Sequence, residues 1–244
     1  MHRFIVREGL AAGAQVQLSQ EEAAHAFKVL RLRPGEEVEL TDGEGRLFGA
    51  KLNEVSRELV TAEVLEELDG KEAPVRITLY QGYPKADKLE LIVQKLTELG
   101  ACRIVPVVME RSVAKPDQKD KGKRRERLQR IAQEAAKQCG RGMVPEVEEA
   151  IVWKQALKRF SEHELMLMPW EDARDVRLKD VYEKEPAAKD VAFVIGPEGG
   201  ISEREAEEAR EAGALCVTLG PRILRTETAA LTSTAVAMTL WGDI

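Results

Sequence analysis

The sequence predicts a mixed α/β protein in which a small β-rich barrel precedes a larger domain built on a mostly parallel sheet. Three observations carry this. Residues 1–72 hold short strands separated by glycine-containing and charged turns. From residue 75 onward, short apolar runs alternate with helical stretches, the pattern of a parallel sheet covered by helices. Between the two, Asp69-Gly70-Lys71-Glu72 reads as a boundary just ahead of Pro74. The expected domains are therefore 1–72 and 73–244.

In the first domain Phe4-Ile5-Val6 opens a strand, and Glu21 to Leu30 reads as a short helix. Glu37-Val38-Glu39-Leu40 alternates polar and apolar, as a half-buried strand should. Asp42-Gly43-Glu44-Gly45 signals a turn, and Leu47–Leu52 and Leu59–Val64 supply further strands. In the second domain Val75–Tyr80 is a strand. Lys85–Leu99 is a helix with Pro84 at its first position, its apolar Leu89, Ile92, Val93, Leu96 and Leu99 falling at helical spacing. Ile104–Val108 is the next strand. Lys123–Gln138 is a helix with Leu128, Ile131, Ala132, Ala135 and Cys139 on its apolar side. Leu165–Met168, Val191–Ile195 and Leu215–Leu219 are short apolar strands of the buried, parallel kind. Ser202 caps a charged helix, with Glu205 placed for a capping box. Thr226 begins or caps the last helix, which runs to about Trp241.

Composition bounds the function. The 244 residues are 43% hydrophobic, enough to bury a core. The first residues become charged before any apolar run develops, so no signal peptide is expected. Thr228–Trp241 is shorter than the roughly 20 residues of a membrane span and reads as a buried helix. Cys102, Cys139 and Cys216 show neither metal-ligand spacing nor a disulfide framework. They read as buried free thiols in a reducing, cytosolic setting. The net charge of -6 argues against a general polyanion binder. Yet Lys115 to Arg141 holds ten Lys or Arg against four Asp or Glu, 10 − 4 = +6, which is a local footprint for nucleic acid.

Two segments could carry chemistry. Ile195-Gly196-Pro197-Glu198-Gly199-Gly200 follows an apolar strand and precedes a helix, where ligands sit in open α/β sheets. It lacks both G-x-G-x-x-G and G-K-[ST], so it is neither the dinucleotide fingerprint nor a phosphate loop. Taken alone it could be a tight turn. Leu219-Gly220-Pro221-Arg222-Ile223-Leu224-Arg225-Thr226-Glu227-Thr228-Ala229 also leads from a strand into a helix. It brackets an apolar pair with charges, and such a pair is expected to pack.

Together these motifs resemble the SPOUT-class methyltransferases, and most closely the RsmE-type 16S ribosomal RNA uridine-N3 methyltransferases. Lys95-Leu96-Thr97-Glu98-Leu99-Gly100, Glu110-Arg111-Ser112-Val113, Glu134 to Gln138 and His25 to Gly35 match as well. The resemblance spans nearly the whole chain. One departure is Cys139-Gly140-Arg141, where the family more often has Ser before the segment's Arg. The resemblance implies a trefoil-knotted parallel-sheet domain behind a small PUA- or OB-like barrel, S-adenosylmethionine as cofactor, 16S ribosomal RNA as substrate, and a cytoplasmic homodimer. The implied pocket loops are Met168-Pro169, Ile195 to Gly200 and Leu219 to Ala229, and the implied cofactor residues are Met168, Ile195, Gly196, Pro197, Glu198, Gly199, Gly200, Leu219, Gly220, Ile223, Leu224, Arg225, Thr226 and Ala229.

Methyl transfer to uridine N3 must remove a weakly acidic proton, so a base or a stabiliser of the anion should help. Glu198 and Glu227 are the carboxylates in the motifs; Arg225 and Arg111 are the candidate cations. Glu198 could equally be an ion pair that shapes its loop. For RNA, Arg127, Arg130, Lys137 and Arg141 recur at spacings that share a helix face, with lysines crowding the preceding loop. Arg3, Lys28, Arg31 and Arg33 could extend the surface through the barrel. His25 has no ligand partners in the sequence, so an RNA or structural role outranks metal binding. His2 and His163 carry no signal. Two other readings stay open: a ribose 2′-O-methyltransferase of the same class, and a non-catalytic RNA-binding module.

Overall fold

A computed structural model describes residues 1–70, 72–114, 116 and 121–244. Lys71 of the expected boundary, and Lys115 and Lys119 of the basic loop, lie outside the described residues. The chain divides into two compact units: Met1–Glu72 with Ala136–Val144, and Ala73–Ala135 with Pro145–Ile244.

The first unit is a five-stranded sheet in the order β1-β3-β4-β5-β2. Its strands are β1 (Arg3–Ile5), β2 (Gln15–Gln17), β3 (Glu37–Thr41), β4 (Leu47–Val55) and β5 (Val60–Leu68). β1 runs parallel to β3 and the other pairs are antiparallel. Alternation turns Val38 and Leu40, Phe48, Ala50 and Leu52, and Val60, Ala62 and Val64 to one apolar core. Register shifts at Gly49/Ala50 and Leu52/Glu54 bend β4 against β5, as bulges do. The sequence reading missed β2, which turns a single residue, Val16, inward.

Between β2 and β3, α1 (Gln20–His25) starts at Ser19, whose Oγ accepts the Glu22 N–H. The expected helix to Leu30 does not continue as an α-helix. Over Ala26–Leu30 it widens to a π-helical turn. In a regular helix Phe27 would lie one turn from Ala23, on the buried face. In the widened turn Phe27 is 43% and Val29 68% exposed. The turn closes with Arg31 at φ 54°, the only non-glycine positive φ among the described residues.

The segment 136–144, expected in the second domain, is packed into the first unit by specific pairs. Lys137 Nζ lies 2.6 Å from Glu22 and Arg141 Nη2 2.9 Å from Glu72. Thr41 Oγ1 donates to Gly142 O at 2.5 Å, and Val144 N to Gly43 O at 2.9 Å.

The second unit holds β6 (Arg76–Gly82), α2 (Ala86–Glu98), β7 (Arg103–Val108), α3 (Lys121–Cys139, whose last turn belongs to the first unit), β8 (Glu146–Val147), β9 (Ile151–Val152) and α4 (Trp153–Leu157). There follow β10 (Leu165–Pro169), α5 (Leu178–Tyr182), β11 (Asp190–Ile195), α6 (Glu203–Glu211), β12 (Leu215–Val217) and α7 (Thr226–Trp241). The seven strands are all parallel, in the order β12-β10-β11-β6-β7-β8, with β9 also on β7. β6 and β11 are central and buried on both faces, which is why they read as continuous apolar runs.

The order carries a crossing. β12 lies beyond β10, yet α7 packs back on β6, β11, α2 and α5. The returning segment is tied to the loop after β10, where Thr218 N donates to Val176 O at 2.8 Å. It is tied also to the loop after β11, where Thr226 Oγ1 donates to Gly196 O at 2.6 Å. Passage between two earlier loops is the threading that the SPOUT resemblance implies.

Thr226 opens α7, which runs to Trp241 as expected, and Arg225 is its N-cap. Two local expectations change. Pro84 stands outside α2, whose N-cap is Lys85. Cys139 is exposed, since α3 ends there, while Cys102 and Cys216 are half-buried. Among the described residues no helix is long and apolar enough to cross a membrane.

Candidate active site

The loops after β10, β11 and β12 all leave the carboxyl edge of the sheet and converge on one cleft of about 1370 Å³. Ile195 to Gly200, Leu219, Gly220, Ile223 to Thr226 and Ala229 line it. Met168 does not. It is fully buried in the apolar core beneath, because alternation along β10 points it inward, and Pro169 reaches the cleft in its place. Of the apolar pair, Leu224 is half-buried against the cleft, whereas Ile223 lines the mouth and is 84% exposed, not packed as expected.

Close backbone approach builds the β11 loop. A Cβ on Gly82, at the end of β6, would stand 2.4 Å from Pro197 N. A Cβ on Gly199 would stand 2.8 Å from both Cβ and O of Arg111. Only glycine fits at either position. Arg111 is exposed and does not line the cleft; its Nη1 donates to Gly199 O at 3.3 Å and braces the loop. Its neighbours brace the following helix. Ser202 and Glu205 form the expected capping box, buried Glu205 accepts the Glu110 N–H at 2.8 Å, and Glu110 accepts from Ser202 and Arg204. Arg204 and Ser202 hold the Glu110 carboxyl below its ordinary value against a smaller burial effect.

The two motif carboxylates share a cation that sequence reasoning missed. Lys88, in the first turn of α2, lies 3.1 Å from Glu227 Oε2 and 3.6 Å from Glu198 Oε1. Glu198 also accepts the Lys85 N–H at 3.1 Å. Burial pushes the Glu227 carboxyl up, but its own backbone N–H, Lys88 and Arg225 outweigh this and leave it below the ordinary value. Glu227 flanks the cleft without lining it, whereas Lys88 lines it. Arg222 and Arg225 are exposed on the wall, and Arg225 lies close enough to Glu227 to favour its charged form, so both cations face the cleft. Trp170, a second missed residue, lines the cleft with Arg210 5.2 Å over its ring.

The candidate RNA residues separate into two kinds. Arg3 has a side chain 7% exposed, 2.6 Å from Glu39, and Arg141 one 10% exposed, paired with Glu72. Both are internal struts of the first unit. Arg141 also lies past the end of α3, so the expected four-cation helix face is not formed. Lys28, Arg31, Arg33, Arg127 and Arg130 are exposed, and Arg127 additionally meets Glu90 at 2.9 Å. His163 has a role the sequence did not signal: its Nδ1 meets Asp190 at 2.5 Å and its Nε2 the Tyr80 hydroxyl at 3.0 Å. Burial pushes that hydroxyl up to about 12.

Residues 71–238 match the RNA methyltransferase domain family, and residues 18–65 the PUA domain of RNA methyltransferases. The chain belongs to this RNA methyltransferase family. Among its relatives, the ribosomal RNA small subunit methyltransferase E of Bacillus subtilis (strain 168) is 34% identical over 95% of this chain and 93% of its own. The protein of the same name from Aquifex aeolicus (strain VF5) is 34% identical over 98% and 99%. A crystal structure of ribosomal RNA small subunit methyltransferase E from Neisseria gonorrhoeae, bound to S-adenosyl methionine, superposes with a TM-score of 0.90 at 38% identity, covering 100% of this chain and 99% of that one. In this methyltransferase the Gly196–Gly200 and Leu219–Ala229 segments line the cleft, and Arg111 braces it from outside.

Proposed function

We propose that this chain transfers the methyl group of S-adenosylmethionine to N3 of a specific uridine in 16S ribosomal RNA. The observation that carries the reading is the convergence of the Gly196–Gly200 and Leu219–Ala229 loops on one cleft, in a chain that superposes over its full length on a relative bound to that cofactor. The residues present suit it. Backbone groups of the glycine loop can meet an adenine, and Ile195, Leu219 and Leu224 give it apolar walls. When bound, S-adenosylmethionine supplies an electrophilic methyl group.

The chain's own residues have the remaining work. Transfer to N3 breaks the N3–H bond, and its proton leaves to solvent or a base. Arg225, exposed on the wall, can stabilise the negative charge on uracil. Glu227, held below its ordinary value and paired with Lys88, is better suited to shaping the site than to taking the proton. Substrate alignment then matters more than covalent catalysis. Arg111 braces the loop.

Residues 1–72, with 136–144 packed on them, are proposed as the RNA-binding barrel and the rest of 73–244 as the methyltransferase domain, acting as a cytoplasmic homodimer. Arg31 and Arg33 beside exposed Phe27, with Arg127 and Arg130, are the proposed RNA contacts. The experiment is to incubate the protein and labelled S-adenosylmethionine with unmodified 30S subunits and with free 16S RNA, then map the methyl group. Label at N3 of one uridine is expected. Label on ribose, or RNA binding without cofactor binding, overturns the reading.

A further inference from the structure

Lys88 stands where three parts of the cleft wall meet. It comes from α2, Glu198 from the loop after β11, and Glu227 from the first turn of α7. One ammonium reaches both carboxylates, at 3.1 and 3.6 Å, and the three side chains are only 17–23% exposed. The position is not explained by the helix that carries it. A cation in the first turn faces the positive end of the α2 dipole, which disfavours it locally. Its gain lies across the cleft wall. Without it, two carboxylates would share a partly desolvated corner, with Arg225 the remaining cation that favours the charged form of Glu227. Like charges so placed disfavour ionisation, so one would hold a proton or the pair would spread apart. Either outcome moves Glu198, which is joined to Gly199, or Glu227, which is joined through Thr226 to Arg225.

We propose that Lys88 is a positioning residue for the methyl transfer: by bridging Glu198 and Glu227 it holds the glycine loop and the Arg225-bearing turn at one separation. Resting on the methyltransferase reading above, the proposal assigns Lys88 no contact with substrate and no proton transfer. It makes the paired carboxylates a scaffold whose charge must be balanced.

The test uses the full chain with Lys88→Met, Lys88→Arg and the double variant Lys88→Met/Glu227→Gln. Cofactor affinity is measured by calorimetry. Single-turnover methylation of unmodified 30S subunits is followed from about pH 5 to pH 9. Lys88→Met is expected to lose activity by about tenfold or more at the acid end, with a new acid limb as a carboxylate takes a proton. Lys88→Arg should restore the parent profile. The double variant, with one carboxylate removed, should lose the limb. If Lys88→Met does not fold, Lys88→Gln is read in its place, because it removes the charge at similar size. A parent-like profile in the charge-removing variant overturns the proposal, and so does a loss that is uniform in pH and not repaired by arginine. A parent protein that neither binds S-adenosylmethionine nor methylates RNA sinks the functional reading instead.

Discussion

The side-chain amide of Gln81 donates to the Thr226 hydroxyl at 2.8 Å, across 145 positions of sequence. The Thr226 hydroxyl in turn donates a hydrogen bond to Gly196 O at 2.6 Å. Gln81 and Thr226 are both buried, so the chain of bonds joins the end of β6, the start of α7 and the cleft loop away from water. Thr226→Val matches the volume and removes both bonds. It should destabilise the fold by about 1–3 kcal/mol, because a buried donor and a carbonyl lose their partners. Cofactor affinity should fall with it, while Thr226→Ser keeps both. Chemical denaturation and calorimetry decide; a valine variant as stable as the parent would show the relay to be incidental.

Gly199→Ala tests the bracing of the loop. The new Cβ meets the Arg111 backbone oxygen and Cβ at 2.8 Å, neither of them the far end of a flexible side chain. Cofactor affinity should drop by about tenfold or more, since even 1.4 kcal/mol of displacement is a factor of ten. Adding Arg111→Ala should not rescue it, because the oxygen and Cβ remain. Rescue would locate the conflict in the guanidinium instead.

Much of this site was legible because it lies in contiguous segments. Strand, glycine turn and helix follow one another at Val191–Glu211, and periodicity finds each. What escaped was set by pairs remote in sequence. Lys88 acquires its role only when α2 meets α7, and Arg3 and Arg141 look like free cations until Glu39 and Glu72 are placed beside them. Met168 was assigned to the cleft although strand alternation turns it into the core. The π-helical turn escaped for another reason: Ala23, Phe27 and Leu30 fit a regular α-helix equally well, and local pattern does not register a single widened turn.

That turn supplies a prediction about RNA. Phe27, Arg31 and Arg33, close in sequence, are each exposed on the first unit. Aromatic rings beside cations suit an unpaired base and its phosphates. Phe27→Ala should weaken RNA binding by about 1–3 kcal/mol with the salt dependence unchanged. Charge reversal at Arg31 and Arg33, or at Arg127 and Arg130, should weaken binding and flatten its dependence on salt. Cofactor affinity should stay at the parent value in all of them. Arg3→Ala and Arg141→Ala should chiefly lower stability, by leaving Glu39 and Glu72 unpaired. Filter binding across a salt series, with melting curves alongside, separates these groups.

The final prediction concerns the proton at N3. N3 lies on the Watson–Crick edge, so the target uridine must be unpaired or flipped, and a folded RNA junction should outperform a plain duplex. Arg225→Ala should lower turnover more than it weakens cofactor binding, because the uracil charge it meets develops during reaction. The pH dependence distinguishes this from base catalysis by Glu227. Its folded pKa lies below the ordinary 4.5, so any stability it contributes is complete above that value and is lost as pH falls through the lowered one. It is already ionised well below neutrality, and no rise in rate near or above neutral pH can come from it. Such a rise in single-turnover rate should therefore persist in Glu227→Gln, at a lower level, and should be displaced to higher pH in Arg225→Ala, where the anion loses its cation. A rate independent of pH, with methylation shown to be the measured step, would rule out deprotonation as limiting. Loss of the rise in Glu227→Gln alone would return the role of base to that carboxylate.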